Sequence, residues 1–173
     1  CIKGEGFDGH DFAEIVSSQG ASAIVVERVQ KVNIPQILVK DTRRSLSEIC
    51  ANFYNHPEKK LKFIGVTGTN GKTTTTFILR HILKEAGYKV GVIGTQGTFI
   101  NGRSYKSSLT TPDPTELYSI LSKMCDMGVD YVVMEASAHA ISLKKLDGII
   151  FDVGIITNIT QDHLDFFNTM KQY

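Results

Sequence analysis

A chain of 173 residues can bury one good core, or one small domain plus part of a second. Its formal net charge of +1 gives no overall pull toward nucleic acid or an acidic membrane, and its 19 basic residues are scattered without aromatic interleaving. No apolar run approaches a membrane span, and no stretch reads as a signal peptide. Cys1, Cys50 and Cys125 lie far apart without a Cys-x-x-Cys pair and read as reduced thiols of a cytoplasmic protein.

Gly4-Glu5-Gly6-Phe7-Asp8-Gly9 matches the dinucleotide pattern G-x-G-x-x-G, and Glu27 closes a strand roughly twenty residues on. Two features oppose a dinucleotide site. Glu5 and Asp8 place carboxylates where a pyrophosphate would lie, and His10-Asp11 mark the helix start, which leaves the third glycine outside it. Phe12 to Gln19 is the expected helix, stopped by Gly20. Strands are expected at Ala23 to Val26 and Gln36 to Val39, the second entered through Pro35. Leu46, Ile49, Cys50 and Phe53 fall at i, i+3, i+4 and i+7, which predicts an amphipathic helix over Ser45 to Tyr54. The polar stretch Asn55-His56-Pro57-Glu58-Lys59-Lys60 reads as a linker between residues 1–58 and residues 61–173.

The second part opens on Leu61 to Val66, an apolar run with the pattern of a buried strand. Residues 65–76 then read Gly-Val-Thr-Gly-Thr-Asn-Gly-Lys-Thr-Thr-Thr-Thr, and Phe77, Ile78, His81 and Ile82 continue with helical spacing. A strand, a glycine turn and a helix opening on Lys-Thr make a phosphate cradle. Gly68 and Gly71 can adopt positive φ, so successive N–H groups of Gly68, Thr69, Asn70 and Gly71 can face one anion. The helix N-terminus adds its free N–H groups around Thr73 and Thr74. Lys72 can reach the β/γ-phosphates, and the Thr73 hydroxyl is placed to ligate Mg²⁺. The alternative is an ordinary glycine turn capping a helix, which has no need of Lys-Thr after its last glycine. The match to G-x-x-x-x-G-K-[ST] is imperfect, because Val66 stands at the first glycine position.

A strand is expected from Lys89 to Gly94, and Asn101-Gly102 suits a type I′ hairpin turn. Thr110-Thr111-Pro112-Asp113-Pro114 is a stiff loop, with Asp113 as helix cap, Pro114 at the first position and Glu116 completing a capping box. Leu117, Ile120, Leu121, Met124 and Cys125 form that helix's apolar stripe, ended by Gly128. Tyr131 to Met134 and Asp152 to Ile156 are further buried strands. Strands alternating with helices argue an α/β fold with a parallel sheet, whose ligands gather at the carboxyl ends of strands.

Glu135 ends one such strand and is placed to hold the Mg²⁺ of a nucleotide, against the alternative of a solvated strand-end acid. Ser137 and His139 follow, but the G-x-S-x-G elbow of a serine hydrolase is absent. Thr157-Asn158-Ile159-Thr160-Gln161-Asp162-His163-Leu164-Asp165 comes after the last strand. His163 can ligate a second metal with Asp162 orienting it, or Asp162 or Asp165 can simply cap a helix.

Together these strings resemble the Mur ligases and their folate-ligase relatives, which use ATP to join an amine to a carboxylate. Thr67-Gly68-Thr69-Asn70-Gly71-Lys72-Thr73-Thr74 resembles that family's P-loop, Glu135-Ala136-Ser137-Ala138-His139-Ala140 its Glu-Val-Ser-Ser-His-Ala string, and residues 157–165 the motif after its next strand. Thr110-Thr111-Pro112-Asp113 resembles the Thr-Thr-Pro loop of the branch that extends UDP-N-acetylmuramoyl-L-alanyl-D-glutamate, and Lys3 to Phe12 its UDP-side domain. The resemblance runs the length of the chain, while the chain matches only the front portion of such an enzyme, and both its ends read as cut from a longer protein.

The resemblance implies part of a UDP-binding domain over residues 1–58 and the first part of a P-loop ATPase domain over residues 61–173. It implies ATP held by Gly68 to Thr74 and Asn158, with Lys72 and His163 catalytic, Thr73 and Glu135 on one Mg²⁺ and His163 on another. Thr110, Thr111, Ser137 and Lys145 would meet the muramoyl-dipeptide, and Glu5, Gly6 and Phe7 the UDP moiety. The expected protein is a cytoplasmic monomer of peptidoglycan synthesis, working on small molecules, with diaminopimelate and lysine both open as the incoming amino acid. Ala138 and Lys145 depart from the family's usual Ser and Arg, and a lysine cannot make the planar bidentate clamp on a carboxylate. The competing readings are another Mur-type ATP-dependent amide ligase, against which the front domain and Thr110-Thr111-Pro112-Asp113 speak, and a non-catalytic nucleotide-binding switch, which has no need of an acceptor-substrate loop.

Overall fold

The computed structural model describes residues 1–4, 6–106 and 109–173. The chain divides into two compact units, Cys1–Leu46 and Ser47–Tyr173. The division falls inside helix α2 (Thr42–Phe53), ahead of the boundary expected at residue 58. The expected linker is packed structure within the second unit. Pro57–Lys59 form a 3-10 turn, Pro57 is buried, and its carbonyl accepts a hydrogen bond from Cys125 Sγ at 3.6 Å.

In the first unit a 3-10 turn, Gly9–Phe12, runs into α1 (Ala13–Ser18). Two short parallel strands, β1 (Ile24–Val26) and β2 (Gln36–Leu38), form its sheet. Ala13, Ile24 and Val26 are its buried centre, with Val32 and Ile34 packed around them. At the glycine-rich stretch Lys3 and Asp8 form a bridge, and the Gly4 N–H donates to Phe7 O at 2.8 Å. Asp8 Oδ1 accepts from the His10 N–H at 3.0 Å and pairs with His10 Nδ1 at 2.6 Å. The carboxylate therefore occupies the helix-start N–H that a pyrophosphate would need, which agrees with the objection to a dinucleotide site. Glu27 is likewise committed, accepting from Thr42 N and Oγ1 at 2.8 and 2.9 Å.

The second unit is built on a six-stranded sheet of order β6-β5-β4-β7-β3-β8. Its strands are β3 (Lys62–Thr67), β4 (Val90–Gly94), β5 (Gly97–Ile100), β6 (Arg103–Tyr105), β7 (Tyr131–Glu135) and β8 (Val153–Ile156). β4, β7, β3 and β8 run parallel, and the β5–β6 hairpin is antiparallel. The hairpin turns through Asn101 (φ 47°) and Gly102 (φ 86°), as the dipeptide demands. Both faces of β3, β4 and β7 are covered, so they read as continuous apolar runs. β8, expected as a buried strand, is the last strand of the order and is largely exposed, Val153 and Ile156 included. On one face Leu79 and Leu83 of α3 (Lys72–Glu85) pack on Ile64, Val66, Val90 and Val133. On the other, Leu117, Leu121 and Met124 of α4 (Pro114–Asp126) pack on Phe63, Ile93, Val132 and Met134.

The expected capping box at α4 does not form. Asp113 is the N-cap residue, but its side chain makes no cap bond; it pairs instead with Lys145 Nζ at 2.8 Å. A charged partner outside the helix outcompetes a neutral backbone N–H. The α2 stripe also differs from expectation: Ser47, Cys50 and Ala51 are buried, while Ile49 and Phe53 are exposed.

Register brings the carboxyl ends of the parallel strands together. Val66 stands opposite Glu135, Ile93 opposite Met134, and Thr67 opposite Ile156. The residues that leave these four strand ends thus meet at one edge of the sheet.

Candidate active site

From β3 the chain turns through Gly68 (φ 127°) and Gly71 (φ 86°), and α3 opens at Lys72 with Gly71 as its N-cap. A side chain at position 68 would collide with Thr157 Oγ1 and lie 2.7 Å from Asn158 O, so glycine is required there twice over. The segment after β8 holds the turn from behind. Asn158 Oδ1 accepts from Asn70 N–H at 3.1 Å while its Nδ2 donates to Asn70 O at 2.9 Å. Thr157 Oγ1 donates to Asn70 O at 2.6 Å, and Thr69 Oγ1 accepts from Thr160 N–H at 2.9 Å. The hydroxyl of Thr69 thus faces this backing segment, and its N–H donates to Asn158 O at 2.9 Å. Lys72 Nζ lies over the turn, donating to Gly68 O at 2.7 Å and Thr69 O at 3.0 Å. Thr74 is exposed in the first turn of α3.

Glu135, at the end of β7, is 1% exposed and accepts three hydrogen bonds. Thr73 Oγ1 reaches its Oε1 at 2.9 Å, Thr95 N–H the same oxygen at 3.1 Å, and Thr95 Oγ1 its Oε2 at 3.0 Å. Gly94 permits this approach, since a Cβ there would collide with Oε1. Thr73 Oγ1 and Glu135 Oε1 are two hard oxygen donors side by side, a pair that suits a magnesium-sized cation. Among the described residues no three His, Cys, Asp or Glu side chains group as a metal site, so phosphate and water oxygens would complete such a shell.

The expected acceptor residues adjoin Glu135. Thr111 is buried; its Oγ1 donates to the Glu135 main-chain O at 2.8 Å and accepts from Ser137 N–H at 3.2 Å. Thr110 Oγ1 is 3.1 Å from Thr95 Oγ1. Ser137 caps α5 (Ala138–Ser142), accepting from Ala140 N–H at 3.2 Å. Lys145 reaches the same loop through Asp113. Gly6 and Phe7 lie in the first unit, where Phe7 is exposed beside Phe12; Glu5 lies outside the described residues.

His163 precedes α6 (Leu164–Phe167) in a left-handed conformation, φ 52°, without capping it through a side chain. Its Nε2 is 3.6 Å from Asp162 Oδ2, and its ring meets His139 edge-on at 4.7 Å. Phe166 and Phe167 pack on His139. Neither Asp162 nor Asp165 caps α6: Asp162 Oδ1 accepts from His163 N–H instead. A cavity of about 390 Å³ lies between this group and the turn, lined by Thr67, Gly68, Ala138, Phe167 and Tyr173 among others.

Sequence reasoning passed over Gly94, Thr95 and the packing role of His139. The strand-end rule, applied to β4 as it was to β3 and β7, would have found the first two.

The model of the Mur ligase middle domain matches residues 66–173. The chain belongs to the Mur ligase family. Over all 173 residues it is 48% identical to a UDP-N-acetylmuramoyl-L-alanyl-D-glutamate--2,6-diaminopimelate ligase of Geobacillus thermodenitrificans and 47% identical to one of Bacillus cereus. It spans 35% of the length of each of these Mur ligases. A solved structure of a UDP-N-acetylmuramoyl-L-alanyl-D-glutamate--2,6-diaminopimelate ligase superposes with a TM-score of 0.80 at 27% identity, covering 95% of this chain and 33% of that one. A Mur ligase structure from Thermotoga maritima, MurF in complex with ADP, gives 0.60 at 28% identity, covering 99% of this chain and 36% of that one. The family's sheet and the expected mostly parallel α/β fold are therefore those observed. No helix among the described residues is long and apolar enough to cross a membrane.

Proposed function

We propose that this chain supplies the nucleotide and acceptor sites of an ATP-dependent ligase that adds a diamino acid to UDP-N-acetylmuramoyl-L-alanyl-D-glutamate, in cytoplasmic peptidoglycan synthesis. The observation that carries the reading is the meeting of two loops on one buried acid. The P-loop threonine, Thr73, bonds the Glu135 carboxylate, and the Thr110-Thr111 loop touches the same residue through Thr95 and its main-chain carbonyl. A nucleotide switch without an acceptor has no use for the second loop. The names of the relatives support diaminopimelate over lysine as the incoming amino acid.

The chemical difficulty is that two anions, the γ-phosphate and the D-glutamyl carboxylate, must meet. The N–H groups of Thr69 and Asn70 are given to Asn158, so the free N–H groups at the start of α3 would face phosphate, and Lys72 would exchange its bonds to Gly68 O and Thr69 O for phosphate oxygens. Thr73 and Glu135 would hold Mg²⁺, which when bound neutralises phosphate charge; His163 would serve a second ion. Thr110, Ser137 and Lys145 would orient the acceptor so that its carboxylate lies in line with the γ-phosphate, making catalysis chiefly positioning and electrostatics. The carboxylate oxygen attacks phosphorus and ADP leaves. The amine then attacks the acyl phosphate carbon, releasing phosphate. Gly6 and Phe7, with Glu5, are assigned to the UDP moiety, and the enzyme to a monomer acting on small molecules.

The test uses the full-length protein and acceptor labelled with ¹⁸O in the side-chain carboxylate. Turnover with ATP, Mg²⁺ and diaminopimelate should place one ¹⁸O in the released phosphate. Product formed without label in phosphate would rule out the acyl-phosphate route.

A further inference from the structure

Thr95 is the first residue beyond β4, and it is exposed at the mouth of the site although it bonds a buried acid. Its hydroxyl has one proton to give. That proton goes to Glu135 Oε2, 3.0 Å away. Thr95 Oγ1 must then accept from Thr110 Oγ1, 3.1 Å away on the other side. The direction of every bond in this row follows: Thr110 donates to Thr95, Thr95 donates to Glu135, and Thr73 donates to the other carboxylate oxygen. Donors thus enter the Glu135 carboxylate from the nucleotide loop and from Thr95, which the acceptor loop backs through Thr110, and each polarises the next. Thr111 also touches Glu135, but at the main-chain carbonyl and not at the carboxylate.

Resting on the ligase reading above, we propose that Thr95 is a positioning residue that couples nucleotide binding to acceptor binding. A cation drawn to Thr73 and Glu135 takes electron density from the carboxylate and weakens its hold on the Thr95 proton. The Thr95 hydroxyl is then free to reorient, and the Thr110 hydroxyl is released toward the acceptor. An acceptor that captures Thr110 has the reverse effect on Glu135, so each ligand changes the affinity for the other by the same factor.

The experiment measures, by titration calorimetry on the full-length protein, the Kd of UDP-N-acetylmuramoyl-L-alanyl-D-glutamate with and without a non-hydrolysable ATP analogue and Mg²⁺. The wild type should bind the acceptor about tenfold more tightly with the nucleotide present. Thr95→Val keeps the shape, removes the proton relay, and should bring that ratio to about twofold or less. Thr95→Ser should restore it. Should Thr95→Val fail to fold by thermal denaturation, Thr110→Val opens the same relay from its other end and should abolish the ratio in the same way. A wild-type ratio near one, an undiminished ratio in Thr95→Val or in Thr110→Val, or a failure of serine to rescue would each overturn the relay. A wild-type protein that binds nucleotide but no acceptor under any condition would overturn the ligase reading and the relay with it.

Discussion

Replacing Gly94 by alanine adds one carbon where the structure has no room for it. The new Cβ would overlap Glu135 Oε1 and stand 2.8 Å from Cδ and 3.0 Å from Cγ. Non-bonded carbons settle at about 3.5–4.0 Å, so the carboxyl group must retreat by roughly 0.7 Å or more. The bonds it accepts from Thr73 and Thr95 are 2.9 to 3.1 Å long and would open beyond hydrogen-bonding range. Each bond to a charged group is worth about 1.5–3 kcal/mol, and losing two in a buried site amounts to about 3 kcal/mol or more. A domain of this size loses about 2–4 °C of Tm per kcal/mol, so Gly94→Ala should melt about 6–12 °C lower. It should also lose most Mg²⁺-dependent affinity for nucleotide, because the displaced carboxylate no longer stands beside Thr73. Differential scanning calorimetry and nucleotide titration with and without Mg²⁺ read the two effects. An alanine variant within 1 °C of wild type, with unchanged Mg²⁺-dependent binding, would refute the reasoning that Gly94 seats Glu135.

Lys72→Ala should fold normally, since Nζ bonds only turn carbonyls, yet lower kcat by about a hundredfold or more through loss of charge at the phosphates; a Tm shift with intact turnover would contradict this. In the first unit the hydrogen bonds from His10 hold the Asp8 carboxyl below the ordinary carboxylate range, and those from Thr42 do the same for Glu27. A depressed folded-state pKa gives stability that is complete above the unfolded value of about 4 and is lost as pH falls through the folded one. Asp8→Asn should therefore flatten the fall in stability of this unit below about pH 4, and Tm measured across pH 2–7 would show an unchanged acid limb if the idea is wrong.

The parallel sheet and the glycine turn before α3 were legible because their signals are local. Apolar runs of strand length, glycines at the turn and Lys72-Thr73 at the helix start each act within a few residues. What the sequence could not disclose depends on partners distant along the chain. Asp113 has the spacing of a capping box, but Lys145 lies across the fold and takes its carboxylate. The period of α2 marks a helix without saying which side is covered, and Ser47 is buried where Ile49 is not. Thr95 is an unremarked threonine until Glu135 is seen against it.

The glycine turn is written in residues 67–71 but fastened by residues 157–160, and the bonds between Asn70 and Asn158 span 88 positions. Closing such a long loop is entropically costly, and contacts of this range form late in folding. During synthesis β3 and α3 would leave the ribosome well before the strand that lies beside β3 and the segment that braces the turn. A nascent chain should therefore hold an unfastened glycine loop for most of the second unit's translation, and gain affinity for phosphate in one step when Asn158 arrives. Ribosome-stalled chains truncated on either side of that residue would place the step.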